Sequence, residues 1–455
     1  MVPYSFYSPL SLPKRGLFRE RHFTMTSTAL WDPAHEALSA ADLRKLQSQR
    51  LKALVARVYQ SNRYYKQRLD EAEVKPSAMK SLDDLKRIPF LTKQDLRSYY
   101  PFGLVCTPLD DIVEVHASSG TTGKPVVGPY TRADVDLWAE VMARSLYANG
   151  VRKSDVVQNA YGYGFFTGAH GFERGAERIG AMVLTIGSGN TERQVDVLQD
   201  FKSTVLACTP SYSLHIAEVA TEKGLDPAAD FDLRLGAFGA ESWSDSIRKS
   251  IEDRWGITAC EHYGLTEIIG PGVVSECSER RLHINADYFY PEIIDPNTGE
   301  TLEFGNEGEL VFTTLTKEAF PALRFRTRDL AMISEDTCSC GRTLPVMSRI
   351  KGRSDDMMKV KGVIVFPSQI EAALMVTPGV SDNYQIIKTK QGDMVSLSVE
   401  VEPTEERYRE GHLDELEKRA EAEIYRILNL HVPVAAIAPK SIPRSTGKAK
   451  RVIER

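Results

Sequence analysis

The sequence predicts an α/β protein with a large N-terminal domain of several subdomains and a small C-terminal α+β domain. Its 455 residues are too many for one ordinary hydrophobic core, so two or three domains are expected. From Val156 onward, short β-rich runs alternate with longer helical patterns, which indicates parallel α/β units. A boundary is expected where charge gathers around Gly352. The predicted parts are an extension at residues 1–24, a domain at 25–350, a hinge at 351–356 and a domain at 357–455.

The individual elements follow from hydrophobic spacing. Apolar residues at 51, 54, 55, 58 and 59 form the stripe of an amphipathic helix, which we expect to run from Leu51 to Leu69. Later runs rich in β-formers predict strands, and patterns of period 3.6 predict helices. The expected strands are 182–186, 204–208, 233–238, 258–263 and, in a more antiparallel section, 308–314; the expected helices are 211–223 and 244–255; the C-terminal domain adds a strand at 395–401, a helix around 413–427 and an apolar run at 432–438.

Composition narrows the possible classes of function. Apolar residues make up 42% and charged residues 26% of the chain, which are ordinary values for a soluble protein. The formal net charge of -5 argues against a nucleic-acid partner or an anionic membrane surface. No run approaches the 18 apolar residues of a membrane span. We therefore expect a cytoplasmic protein. Residues 1–24 are basic and rich in proline and aromatics, so Met25 is an alternative start, and a targeting presequence is a further alternative for this extension.

The most informative run is Ser118-Ser-Gly-Thr-Thr-Gly-Lys-Pro125. Its glycines let the backbone approach an anion, while its hydroxyls and lysine offer donors and positive charge to phosphate oxygens. It is not a Walker loop, which requires glycine at position 118 and a hydroxyl at position 125. A polar surface turn is the alternative. The predicted phosphate-binding residues are Ser118, Ser119, Gly120, Thr121, Thr122, Gly123 and Lys124.

Five further segments follow this loop in a fixed order. They begin at Tyr161 (Tyr-Gly-Tyr-Gly-Phe-Phe), Gly239 (Gly-Ala-Glu), Tyr263 (Tyr-Gly-Leu-Thr-Glu), Arg324 (Arg-Phe-Arg-Thr-Arg-Asp) and Gly352 (Gly-Arg-Ser-Asp-Asp, followed by Pro443-Arg-Ser-Thr-Gly-Lys). From about residue 30 to the C-terminus, the chain resembles the acyl-adenylate-forming superfamily and, within it, the phenylacetate–coenzyme A ligase family. The resemblance implies a large AMP-binding domain and a mobile C-terminal lid.

The resemblance gives roles to several polar residues. Thr266 and Glu267 would contact phosphates, with Glu267 as a magnesium ligand; both follow a predicted strand, where open α/β sheets bind ligands. A glutamate that caps the next helix is the alternative for Glu267. Asp329 would bind the ribose hydroxyls, although a surface ion pair is the simpler possibility. The remaining nucleotide contacts implied are Gly239, Ala240, Glu241, Tyr263, Gly264 and Arg353, with Gly239 to Glu241 lining the adenine and acyl pocket.

Catalysis would depend on Lys448, which composition alone assigns to a solvated basic tail. In the family, the matching lysine stabilises negative charge during adenylation. Asp355 matches the hinge, and Gly362 would lie on the pantetheine path after the lid rotates. The implied substrate residues are Tyr161, Phe166, Ala237 and His170, of which the first two could also be core aromatics and the last could contact a ring hydroxyl or only solvent.

Four potential metal ligands occur in two close pairs. Cys277 and His283 form one pair, and Cys338 and Cys340 form the other. Three cysteines and a histidine suit a closed tetrahedral zinc site, provided that the fold joins the pairs. Reduced cysteines and a surface histidine are the alternative.

The resulting hypothesis is an acid–thiol ligase that uses ATP, Mg²⁺ and coenzyme A to activate an aryl acid such as phenylacetate, with a structural Zn²⁺. Transfer of the acyl group to a carrier protein or an amine is a second possibility, and a non-catalytic nucleotide sensor is a third. The resemblance is compatible with a homodimer, although no exposed apolar stripe in the sequence indicates one.

Overall fold

The computed structural model describes residues 30–118, 125–360, 363–391 and 394–455. Within these ranges the α-helices are α1 (Pro33–Glu36), α2 (Ala40–Ser61), α3 (Arg63–Glu71), α4 (Lys93–Ser98), α5 (Arg132–Asn149), α6 (Thr167–Ile179), α7 (Thr191–Asp200), α8 (Pro210–Glu222), α9 (Asp245–Trp255), α10 (Pro367–Met375), α11 (Glu405–Glu410) and α12 (Leu413–Leu428).

The strands in the same ranges are β1 (Ile112–Ala117), β2 (Val127–Thr131), β3 (Val156–Asn159), β4 (Met182–Leu184), β5 (Val205–Cys208), β6 (Leu235–Gly239), β7 (Thr258–Leu265), β8 (Gly270–Glu276), β9 (Leu282–Ile284), β10 (Phe289–Ile294), β11 (Thr301–Leu302), β12 (Glu307–Thr314), β13 (Phe325–Ser334), β14 (Val346–Met347), β15 (Gly352–Arg353), β16 (Met358–Val360), β17 (Val363–Val365), β18 (Val380–Gln391), β19 (Met394–Pro403), β20 (Val434–Ala436) and β21 (Val452–Glu454).

One large sheet organises the N-terminal part of the chain. Its strand order is β11-β10-β12-β13-β14-β9-β8-β7-β6-β5-β3-β4, and β15 also pairs with β13. The strands from β4 to β7 are parallel, whereas those from β7 to β11 are antiparallel. The predicted α/β class and the more antiparallel later section are both confirmed. Strand β7 lies at the change of direction, so its carboxyl end is where an open sheet can bind a ligand.

The C-terminal residues form a smaller unit with its own apolar core. Strands β20-β19-β18-β21 make one sheet, and β16 and β17 form a separate hairpin. Helices α10 and α12 bury Ile370, Leu374, Ala420 and Ile424 against this sheet. We call this part, from Met358 onward, the C-terminal unit.

The helix expected from Leu51 to Leu69 is in fact two helices. The prediction of one continuous helix was wrong because Asn62 has extended backbone angles, with φ at -138° and ψ at 126°. Its side chain accepts a hydrogen bond from the Tyr64 N–H and so caps α3. An asparagine that offers this local acceptor favours a helix start over helix continuation. The apolar stripe persists on both sides of the break, so the spacing alone did not reveal it.

Strands β7 and β8 approach each other closely at the binding edge of the large sheet. Gly264 lies so near β8 that a Cβ atom there would be 2.0 Å from the Gly270 carbonyl oxygen, which only glycine allows.

Among the helices of the described ranges, none combines the length and apolar character that a bilayer crossing requires.

Candidate active site

The carboxyl end of β7 carries two of the predicted phosphate and metal residues. Thr266 and Glu267 follow this strand directly and are both buried. The Thr266 hydroxyl lies 3.4 Å from the Thr167 hydroxyl. The Glu267 carboxylate lies 3.2 Å from the Lys93 ammonium. A buried carboxylate with one adjacent cation is a hard oxygen donor of the kind that Mg²⁺ prefers.

Lys93 is a site residue that the sequence reasoning missed. It is the first residue of α4 and precedes Glu267 by 174 residues in the sequence. A cation in the first turn of a helix opposes the helix dipole, and this mismatch is the signal that could have drawn attention to it. Sequence motifs did not identify Lys93, because the residues around it match none of the phosphate-binding patterns considered.

Asp329 is held in the interior by two partners. The Tyr263 hydroxyl donates to its Oδ2 at 2.7 Å, and the Arg353 guanidinium donates to its Oδ1 at 2.9 Å. Burial raises the pKa of the Asp329 carboxyl to about 6, although Arg353 opposes this rise. Arg353 also makes a bidentate contact with Asp355, at 2.9 and 3.1 Å. The predicted ribose residue, the neighbouring arginine and the hinge residue therefore form one connected cluster.

Lys448 reaches from the C-terminal unit toward this cleft. Its ammonium lies 5.4 Å from the centre of the Phe166 ring, within cation–π distance. Desolvation lowers the pKa of the Lys448 ammonium; Glu241 and Glu267 oppose the fall, and Lys93 and Arg353 add to it. Part of the residue remains open to solvent. Three cations thus surround one cleft, which is the charge arrangement that a polyphosphate requires.

The segment that follows β6 brings Glu241 against the C-terminal unit. A Cβ atom on Gly239 would be 2.5 Å from the His262 carbonyl oxygen, and Ala240 has a positive φ of 71°. Left-handed backbone at a non-glycine residue is uncommon and is often found at functional sites. Glu241 accepts hydrogen bonds from the Ser211 N–H at 2.6 Å and the Ala449 N–H at 3.1 Å. The prediction that Glu241 lines the adenine and acyl pocket stays a prediction; the two hydrogen bonds link this residue to the loop that carries Lys448.

Apart from Phe166, which contacts the Lys448 ammonium, the candidate substrate residues occupy two environments. Tyr161 is buried, and its ring stacks on that of Phe172 with 4.7 Å between the ring centres. Ala237 is buried in β6. His170 instead contacts His116 at 4.8 Å and lines an outer cavity with Tyr163, Glu173, Arg174, Glu177 and Thr185.

The lining of that outer cavity includes neither Tyr161 nor Ala237. Burial lowers the pKa of the His170 imidazole, and the neighbouring His116 adds to this fall. We expect the ring to be neutral at physiological pH.

The expected phosphate-binding loop begins at Ser118, which the structure describes. Ser118 closes the β1–β2 hairpin, since its N–H donates to the Val126 carbonyl and its hydroxyl accepts from the Val126 N–H, both at 2.9 Å. The predictions for Ser119, Gly120, Thr121, Thr122, Gly123, Lys124 and Gly362 lie outside the described residues.

The two pairs of candidate zinc ligands meet in the folded chain. Cys277 follows β8, His283 lies in β9, and Cys338 and Cys340 lie between β13 and β14, which pairs with β9. Their ligand atoms lie within 4.8 Å of one another. The His283 Nδ1 is 3.1 Å from the Leu344 carbonyl oxygen, which leaves Nε2 facing Cys340 at 3.4 Å. A backbone contact of this kind orients a histidine for metal binding.

Comparison with known families agrees with this geometry. Residues 24–315 match the AMP-binding enzyme family, and residues 362–455 match the AMP-binding enzyme C-terminal domain. A phenylacetate-coenzyme A ligase of Thermus thermophilus is 44% identical over 442 residues, which span 93% of this chain and 99% of the relative. The Escherichia coli phenylacetate-coenzyme A ligase is also 44% identical, over 94% of this chain and 98% of that protein.

Solved structures add a conformational comparison. A 2-hydroxyisobutyryl-CoA ligase in the postadenylation state, in complex with 2-HIB-AMP, is similar with a TM-score of 0.89 at 30% identity, covering 96% of this chain and 95% of that one. In the thioesterification state, with 2-HIB-AMP and CoA, the same ligase gives 0.70 at 31% identity, with 96% and 95% coverage. The present arrangement of the two units is thus closer to the postadenylation one. By sequence and by structure, this chain is a member of the phenylacetate–coenzyme A ligase family within the acyl-adenylate-forming superfamily.

Proposed function

We propose that the protein activates an aryl acid of the phenylacetate class with ATP and transfers the acyl group to coenzyme A. The observation that carries this proposal is the meeting of Lys448, Glu267 and Asp329 in one cleft beside Phe166. The relatives at 44% identity over almost their whole length support the reaction and the substrate class.

In the first half-reaction, a carboxylate oxygen of the acid attacks the α-phosphorus of ATP, and pyrophosphate leaves. The product is an acyl-AMP. Lys448 is proposed to stabilise the negative charge that develops between the carboxylate and the α-phosphate, while Lys93 faces the departing phosphates. Asp329 accepts hydrogen bonds from the ribose and fixes the nucleotide. Because these groups position the substrates and neutralise their negative charge, no side-chain nucleophile is needed.

In the second half-reaction, the CoA sulfur attacks the acyl carbon, and the bond to AMP breaks. The thiol proton is lost to solvent, and AMP leaves as the anion. We propose that the C-terminal unit rotates about residues 351–356 between the two steps, with Asp355 in the hinge and Gly362 on the thiol path. A core of its own within this unit and mostly polar contacts with the large domain support such movement.

We also propose that Glu267 holds Mg²⁺ and that Cys277, His283, Cys338 and Cys340 hold Zn²⁺. Magnesium, when bound, would neutralise phosphate charge. Zinc would join the β8–β9 turn to the loop between β13 and β14 and would serve stability only. Protein purified without chelator should contain about one equivalent of zinc, and Cys340→Ser should lose it. Less than about half an equivalent in the folded wild-type protein would contradict the zinc proposal.

The decisive experiment is ATP–pyrophosphate exchange across phenylacetate, its hydroxy derivatives and benzoates, followed by CoA addition to the best acid. Lys448→Ala should lower the exchange rate by roughly 100-fold or more, as expected when a charge-stabilising donor is lost. Lys450→Ala is the matched control, since Lys450 is an exposed lysine two positions along the same loop.

Three outcomes would contradict the proposal. Exchange with no acid would favour a nucleotide sensor. Exchange without thioester formation would indicate a carrier-protein or amine acceptor. A preference for benzoates over phenylacetates would exclude the proposed acid class.

A further inference from the structure

Both peptide groups that flank Lys448 are held by the large domain. On the N-terminal side, the Gly447 carbonyl accepts hydrogen bonds from the Thr209 hydroxyl at 2.9 Å and the Ser211 hydroxyl at 3.2 Å. On the C-terminal side, the Ala449 N–H donates to Glu241 at 3.1 Å. The lysine is thus fixed by its backbone, independently of where its side chain points.

Glu241 connects this loop to the start of α8. One of its oxygens accepts from Ala449, and the other accepts from the Ser211 N–H at 2.6 Å. Ser211 follows Pro210, the first residue of α8, so its N–H is one of the donors that a helix leaves unused at its beginning. A carboxylate at this end is also favoured by the helix dipole. These interactions with α8 therefore keep the Glu241 side chain in place when the C-terminal unit moves away.

Two ion pairs between the C-terminal unit and the large domain lie near solvent, whereas the hydrogen bond from the Ser244 N–H to the buried Glu371 and the Arg444–Glu218 pair are more shielded but involve neither Gly447 nor Ala449. Lys440 pairs with Glu222, and Arg254 pairs with Asp382, and in each pair at least one side chain is more than 40% exposed. Exposed ion pairs contribute little. The Glu241 contacts are less accessible, and burial raises the pKa of that carboxyl. One of them is made to Ala449, the residue next to Lys448, so it is suited to control the position of Lys448.

We infer that Glu241 is a positioning residue: it clamps the Gly447–Ala449 segment to α8, holds Lys448 in the adenylation pose, and releases it for thioester formation. This inference rests on the proposed function. The Glu241 oxygens accept from backbone N–H groups of both units, so its effect on the reaction is exerted through Lys448. Because the Ala449 contact must break when the unit rotates, Glu241 influences the first half-reaction in one direction and the second in the other.

The test measures the two half-reactions separately in Glu241→Gln. Glutamine keeps the size of the side chain but replaces one acceptor oxygen with an amide that cannot accept from an N–H. The rate of pyrophosphate exchange should fall roughly 10- to 100-fold, the range expected for loss of a charge-assisted hydrogen bond. CoA transfer from chemically prepared phenylacetyl-AMP should be unchanged or faster. Glu222→Gln, an exposed acid that also contacts the C-terminal unit, is the matched control and should change neither rate.

Several results would overturn the inference. An equal fall of both half-reactions, or no change in either, would contradict a role in the adenylation pose alone. If Glu241→Gln fails to fold, Ser211→Ala removes one bond to Gly447 and should give the same imbalance with a smaller amplitude.

A third readout keeps this inference separate from the proposed function. Trypsin should cleave within residues 351–356 faster in Glu241→Gln than in wild type, because a released C-terminal unit exposes this segment. If wild-type protein activates no aryl acid, the proposed function fails, yet the cleavage rates still test the clamp. Equal cleavage rates in the two proteins would contradict it.

Discussion

Replacing Asp329 by asparagine should make the protein more stable and less active at the same time. The carboxyl is buried and has a pKa of about 6, compared with 3.8 for an ordinary aspartate. This rise in pKa corresponds to about 3 kcal/mol, at about 1.36 kcal/mol for each pH unit. The figure already includes the attraction of Arg353, which opposes the rise.

The sign follows from proton binding. The folded state binds the Asp329 proton more tightly than the unfolded state, so Asp329 favours folding at low pH, and this contribution is lost as pH rises from 3.8 through about 6. Asparagine does not titrate. The free energy of unfolding of Asp329→Asn should therefore exceed that of wild type by about 3 kcal/mol at pH 7 and by roughly half as much at pH 5.

The assay is urea denaturation of both proteins at pH 5 and pH 7, with the Michaelis constant for ATP measured beside it. Asparagine accepts from the ribose more weakly than a carboxylate does, so the Michaelis constant should rise roughly 10-fold or more. Asp355→Asn is the stability control, because Asp355 binds the same arginine but is exposed; its effect should stay within about 0.5 kcal/mol. A less stable Asp329→Asn at pH 7 would refute the reasoning about burial, and an unchanged Michaelis constant would refute the ribose role.

Three further changes test other charged groups. Lys93→Met should lower kcat/KM for ATP roughly 10-fold or more, because it leaves Glu267 and the phosphates without a cation. Lys80 is exposed, and Lys80→Met should leave kcat/KM unchanged. Equal effects of the two substitutions would exclude a site role for Lys93. Lys317 is fully buried, and burial lowers its pKa to about 8, so the stability of the wild-type protein should rise between about pH 8 and 10.5. In urea denaturation, Lys317→Met should be more stable than wild type by about 1–3 kcal/mol at pH 7 and should lose this advantage by pH 10.5. A constant difference in stability across that range would contradict a cost of burying the charged lysine. Removal of zinc, or Cys340→Ser, should lower the melting temperature without changing the Michaelis constant for the acid, and an effect on that constant would contradict a purely structural metal.

The sequence alone was sufficient for the α/β class and for most of the strands of the parallel section, because alternation and helical spacing report how neighbouring residues divide between core and solvent. It was also sufficient for the family, since six motifs occurred in one order. The resemblance to that family assigned roles to Asp329, Glu267 and Lys448 before any of them could be located in space.

Only the tertiary structure decided which distant groups meet. Lys93 reaches Glu267, and Glu241 reaches Ala449 from the other unit, through contacts that depend on how loops close and units dock. The cysteine and histidine pairs met because β14 pairs with β9. Conversely, Asn62 broke a helix that its apolar stripe would have continued, since one side-chain acceptor outweighed the spacing. Hydrophobic periodicity reports on residues that are close in the sequence, whereas the site is built from distant residues that come together only when the chain folds.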